Sequence, residues 1–86
     1  MPVVSRFYGI VIMMYFREHQ PPHFHAKYEG QIGVFSIVDG HLIAGKFPPR
    51  ATRLVKQWAK TRKPSLLDNW RTARDQGQLK HIEPLS

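Results

Sequence analysis

The chain has 86 residues, 13 Lys plus Arg against 6 Asp plus Glu for a formal net charge of +7, and no cysteine. That length predicts one domain over residues 1–86, and 42% hydrophobic content is globular rather than disordered. A multidomain enzyme, a coiled-coil or collagen-like fibre and a disulfide-stapled mini-protein are excluded.

The longest apolar run, Phe7 to Phe16, is ten residues, half of the roughly 20 that span a bilayer. The next residues, Arg17, Glu18 and His19, supply no small-residue cleavage site for a secretory leader. No membrane association and a cytoplasmic location are therefore expected. Aromatic and β-branched content predicts a strand, and its two apolar faces place that strand centrally in a sheet. Gln20-Pro21-Pro22 breaks the pattern.

His23 to Tyr28 alternates, predicting a strand with Phe24, Ala26 and Tyr28 on one face and His23, His25 and Lys27 on the other. Glu29-Gly30 predicts a tight turn. Ile32 to Val38 follows as a strand with Gly33 as a bulge. Asp39-Gly40, between two apolar runs, predicts a second turn into a strand over His41–Lys46. An antiparallel meander of about four strands results.

Phe47-Pro48-Pro49 closes the sheet region, with Pro49 suited to a helix's first turn. Ala51, Leu54, Val55, Trp58 and Ala59 fall at i, i+3, i+4, i+7, i+8, one apolar stripe ending near Thr61. Pro64 opens a second helix with a stripe of Leu66, Leu67, Trp70 and Ala73, and Gly77 is placed at its C′ position. A connection of about three residues makes the pair a helical hairpin. The Leu79–Leu85 tail is given a short strand at Lys80–Glu83. The architecture is α+β, with the hairpin on the Phe24 face of the sheet and the His23 face open.

Glu18-His19-Gln20-Pro21-Pro22-His23-Phe24-His25-Ala26, then Pro48-Pro49-Arg50-Ala51, Trp58, Asn69-Trp70 and Ile82-Glu83-Pro84-Leu85, resemble in order the landmarks of a small bacterial family, domain of unknown function 4160. The resemblance implies a bacterial source, a compact α+β domain and a gene paired with a second small gene, as in toxin–antitoxin modules. It brings no catalytic residue. It draws attention to His19, His23, His25 and Arg50, which match the family's motif positions. Members commonly carry acidic residues along the first helix, where this chain has Lys56 and Lys60.

Three of the five histidines lie within seven residues: His19, His23 and His25. On one strand face His23 and His25 sit roughly 6–7 Å apart, a spacing suited to chelating one ion. His19 could fold back across the Pro-Pro bend as a third ligand, with His41 or Glu18 completing the set. Nitrogen ligands point first to zinc, then to nickel or copper. The same side chains could instead hydrogen-bond the bend. They could also serve as general base and acid toward a phosphodiester, with Lys27 or Arg50 stabilising the developing charge. Histidine-based ribonuclease or metal-dependent hydrolase is the enzymatic alternative.

Between Lys46 and Lys63 there are seven bases, Lys46, Arg50, Arg53, Lys56, Lys60, Arg62 and Lys63, and no acid. The rest of the chain holds six bases and six acids (13 − 7 = 6), so this segment accounts for the whole charge excess. On a helical wheel Arg50, Arg53, Lys56 and Lys60 oppose the Leu54/Trp58 stripe. Such a face can neutralise phosphates or dock an acidic protein from the neighbouring gene. The expected function is therefore binding, to nucleic acid or an acidic partner, through Lys46, Arg50, Arg53, Lys56, Lys60 and Lys63. The oligomeric state has no signature in the sequence.

Overall fold

The apolar run near the N-terminus holds the end of one strand, a turn and a second strand rather than one strand. In a computed structural model, which describes residues 2–86, Val3–Phe7 (β1) and Ile10–Met13 (β2) pair antiparallel, with Phe7 opposite Ile10. Tyr8 (φ +50°) and Gly9 (φ +80°) form the two-residue turn between them. Positive φ at both central positions matches the right-handed twist of the flanking strands. The predicted single strand over Phe7–Phe16 is thus corrected. Tyr8 looks like a strand residue, so its sequence signal hid the turn.

The remaining strands are His23–Tyr28 (β3), Gln31–Ser36 (β4) and Leu42–Gly45 (β5). The sheet is an antiparallel meander in the order β1-β2-β3-β4-β5, five strands rather than about four. Glu29-Gly30 makes the expected tight turn, with φ of +49° and +81°. The Asp39-Gly40 turn is longer than expected. Gly40 N–H bonds Ser36 O, Ser36 N–H bonds His41 O, and the Asp39 carboxylate accepts from His41 N–H. The irregularity assigned to Gly33 falls one residue later, between Val34 and Phe35. Gly33 is buried, and a Cβ there would meet the Leu42 side chain at 2.8 Å.

Pro49–Thr61 (α1) and Lys63–Arg74 (α2) follow, each with a proline in its first turn. Arg62 alone separates them, a tighter corner than the expected three residues. Ala51, Val55, Trp58 and Ala59 of α1 and Leu66, Trp70 and Ala73 of α2 are buried, as their spacing predicts. They cover the sheet face that carries Phe24, Ala26 and Phe35, all with no exposed surface. Phe24 stacks on Phe35, with ring centroids 5.6 Å apart, and meets the edge of Trp58 at 5.6 Å. Burying each such ring contributes about 1.5–3 kcal/mol.

At the end of α2 the left-handed residue is Gln76 (φ +59°), not Gly77. Gly77 N–H bonds Thr72 O and Gln76 N–H bonds Ala73 O, the paired bonds of a Schellman cap. The tail forms no strand at Lys80–Glu83. It lies along the β1 edge through one backbone bond, Ile82 N–H to Val4 O at 2.8 Å, and side chains hold the rest. Buried Asn69 bonds both Lys80 N–H and Lys80 O. Trp58 Nε1 donates to Glu83 O, and Arg62 donates to Glu83 O and Pro84 O. Among the described residues, no helix is long and apolar enough to cross a membrane.

Candidate functional site

β3 is the origin of one candidate site. Its alternation puts His23 and His25 on the face opposite Phe24 and Ala26. That face is not open at this end. His23 opens the strand, and its ring meets Trp70 of α2 at 5.1 Å. His25 packs against the edge of Tyr15 at 4.7 Å and 88°. Both imidazoles are half-buried.

The chain between β2 and β3 bends through Gln20-Pro21-Pro22, with a cis peptide before Pro21. The bend returns Glu18 over the histidine face. Glu18 Oε1 lies 3.7 Å from His23 Nε2 and 3.8 Å from His25 Nε2. Ligand atoms of Glu18, His23 and His25 all lie within 4.8 Å of one another. These separations exceed the 2.7–3.2 Å of a hydrogen bond. The three groups therefore converge without satisfying each other.

Hydrogen bonding and burial act on the two rings separately. His23 Nδ1 lies 2.7 Å from Pro21 O, and a carbonyl only accepts, so the neutral ring carries its proton on Nδ1. Its Nε2 lone pair then faces Glu18. Burial holds His25 below the ordinary imidazole value; Glu18 opposes that shift and His23 adds to it. His25 is therefore neutral at pH 7. Its Nδ1 is buried without a hydrogen-bond partner, so packing against Tyr15 rather than a hydrogen bond sets the ring's orientation.

The other histidine-site candidates lie apart. His19 is exposed and outside the converging group. His41 is engaged by Asp39 in the β4–β5 turn. Lys27 is exposed, two residues beyond His25 on the same strand face. Arg50 borders a depression with Tyr8, Tyr28 and Leu54 on the helix-covered side of the sheet. Glu18 was only one option for completing the set. What singles it out is the Pro-Pro bend, which sequence spacing alone does not measure.

A second candidate site lies on the helices. Lys46, Arg50, Arg53, Lys56 and Lys60 are exposed and Lys63 is half-buried. None of them has a carboxylate partner among the described residues. Arg53, Lys56, Lys60 and Lys63 follow i, i+3, i+7, i+10, and Arg53 to Lys60 covers about 10 Å of helix axis. Arg62, in the same segment, faces the tail and is structural.

Lys56, Lys60 and Lys63 border a groove of about 460 Å³ between α1 and the β4–β5 turn. Buried Ile37 and Ala59 form its floor, and Val38, 56% exposed, stands at its side. Asp39 also lines it, with its carboxylate already taken by His41. The groove thus combines an aliphatic surface with unpaired cations. Its floor was not foreseen, because Ile37 and Val38 read as the end of a strand.

The model of the family described as domain of unknown function (DUF4160) matches residues 9–71, which is 63 of the 86 residues, and the chain belongs to that family. The matched span contains the Pro-Pro bend, the converging Glu18, His23 and His25, and the groove lysines. No curated protein and no solved structure matches the chain.

Proposed function

We propose that this DUF4160 protein is the basic member of a toxin–antitoxin-like pair and acts by docking an acidic segment of its partner protein along α1. The pairing rests on the resemblance of the motifs to the family. The mode of binding rests on one observation, the groove in which Lys56, Lys60 and Lys63 surround an aliphatic floor. Phosphates need only cations, whereas this site also offers the exposed side chain of Val38 to an apolar group. Nucleic-acid bases stack on aromatic rings, and no aromatic residue lines the groove. An acidic segment with an aliphatic anchor uses both of its features. Charge complementarity speeds the encounter, and the buried anchor sets the residence time.

Fluorescence anisotropy tests this with a labelled Asp/Glu-rich peptide carrying Leu and Ile, and with duplex DNA and single-stranded RNA of matched charge. The peptide should bind more tightly than either nucleic acid. The triple variant R53E/K56E/K60E should weaken it by on the order of tenfold or more. Val38→Asp should weaken the peptide and leave nucleic acid unaffected. Tighter binding of DNA or RNA, with no effect of Val38→Asp, overturns the reading in favour of a nucleic-acid target.

A second reading, a histidine-based ribonuclease or metal-dependent hydrolase, is favoured by the approach of both imidazole Nε2 atoms to Glu18. A carboxylate between the imidazoles repels a phosphodiester unless a cation intervenes, so the metal-dependent form is the stronger of the two. Incubation of cellular RNA with the wild-type protein and with H23A/H25A tests the ribonuclease. Identical RNA profiles remove the ribonuclease.

A further inference from the structure

We infer that Glu18, His23 and His25 form a binding site for one divalent transition-metal ion of the zinc type, independent of the α1 groove. Two imidazole nitrogens and one carboxylate oxygen converge within 4.8 Å from two sides of the Pro-Pro bend. Their separations to Glu18 Oε1, 3.7 and 3.8 Å, are too long for direct hydrogen bonds. Two donors bound to one ion at about 2.0–2.1 Å, in tetrahedral geometry, lie about 3.3–3.4 Å apart. The two Glu18 separations need contract by only a few tenths of an ångström, with the imidazole nitrogens closing from within 4.8 Å of each other, to enclose an ion.

The surroundings fit the same ligation. His23 donates Nδ1–H to the Pro21 carbonyl, the outer hydrogen bond that fixes a ligating imidazole with Nε2 toward the metal. Trp70 and Tyr15 pack the two rings in place. The group is half-buried, which lowers competition from water while leaving an approach for the ion. With no cysteine in the chain, the donors are nitrogen and oxygen alone. Two histidines and a carboxylate suit zinc, and they also suit ferrous iron. Three protein donors leave a coordination position for water or another small ligand.

The test uses the full chain, stripped with chelator and dialysed, with zinc chloride and cobalt(II) chloride as probes. Calorimetry should give one saturable zinc equivalent, and cobalt should give the visible absorption of a four- or five-coordinate ion. Zinc should raise the melting temperature, as any ligand specific to the folded state does. Glu18→Gln keeps the side chain's shape, so folding is retained. It should weaken zinc at least about tenfold, since losing even an outer-shell partner costs roughly 10–100-fold. His25→Ala should abolish the cobalt spectrum. Replacing the peripheral histidines in H41A/H81A should leave binding intact. Binding unchanged by Glu18→Gln, binding lost in H41A/H81A, or no saturable binding by the wild-type chain overturns the proposal. Glu18→Gln and His25→Ala lie outside the groove, so peptide docking can fail while metal binding stands, and the reverse.

Discussion

Among the residues that hold the molecule together, Asn69 bonds both backbone groups of one tail residue. Its buried amide donates to Lys80 O at 2.8 Å and accepts from Lys80 N–H at 3.0 Å. Asn69→Ala leaves both Lys80 groups without that partner and should destabilise the fold by about 1–3 kcal/mol in urea denaturation. Asn69→Asp retains only the acceptor and should not restore the lost stability. Asp39 is a second residue-scale device. The backbone N–H of His41 leads the contacts that hold its carboxyl below the ordinary value of 3.8. Its contribution to stability is present above 3.8 and is lost as pH falls through the lowered value in the folded chain. An NMR titration should place the Asp39 midpoint below 3.8, and Asp39→Asn should flatten that part of the stability profile. The Asp39-Gly40 turn was legible from its residue pair. The role of Asn69 was not, because a lone polar residue beside a helix stripe carries no sign of which distant backbone it serves. Glu18 falls between the two: its acidity is visible in the sequence, whereas its position over His23 and His25 depends on a bend of fixed geometry.

At the scale of elements, two hairpins show why some turns are readable and others are not. Glu29-Gly30 and Tyr8-Gly9 adopt the same left-handed pair of conformations. The first interrupts a polar stretch, whereas the second interrupts an apolar run, so only the first stood out. A non-glycine residue in this conformation costs roughly 1–2 kcal/mol, and Asn tolerates it better than Tyr. Tyr8 is 59% exposed, so Tyr8→Asn should be neutral or stabilising by up to about 1 kcal/mol. Gly9→Ala should destabilise by about 1–2 kcal/mol, since φ is +80° there. Thermal or urea unfolding of the two variants measures both, and a stable Gly9→Ala protein would contradict the turn. The helices were more legible than the first strands. A 3.6-residue stripe closed by prolines leaves few alternatives, whereas an apolar run of ten residues fits one long strand or two short ones equally well. The tail resisted reading because side chains of α1 and α2, rather than a ladder of its own, hold it in place.

Across the whole molecule, charge and structure are unevenly divided. The excess of seven positive charges falls within Lys46–Lys63, and the structure sets most of that segment on the exposed side of α1. The histidine-bearing face lies across the sheet, with Glu18 as the nearest carboxylate to both imidazoles. One backbone bond, Ile37 N–H to Pro22 O at 3.0 Å, ties the bend that carries Glu18 to the floor of the lysine groove. Docking through exposed lysines is screened by salt, because the Debye length shrinks from about 10 Å at 0.1 M to about 3 Å at 1 M. Peptide affinity should therefore fall steeply, on the order of tenfold, from 0.1 to 1 M salt, and the residual affinity should depend on Val38. Composition alone located the basic segment. It could not show that the cations surround an aliphatic groove, because Ile37 and Val38 reach that groove from a different element. The most direct measurement is an amide chemical-shift titration of the isotopically labelled chain with the acidic, Leu- and Ile-bearing peptide. Docking in the groove should give saturable shifts concentrated at Val38, Gly40, Lys56, Lys60 and Lys63, with the β3 histidines little changed. Absence of saturable shifts, or shifts centred away from the α1 groove, would contradict it.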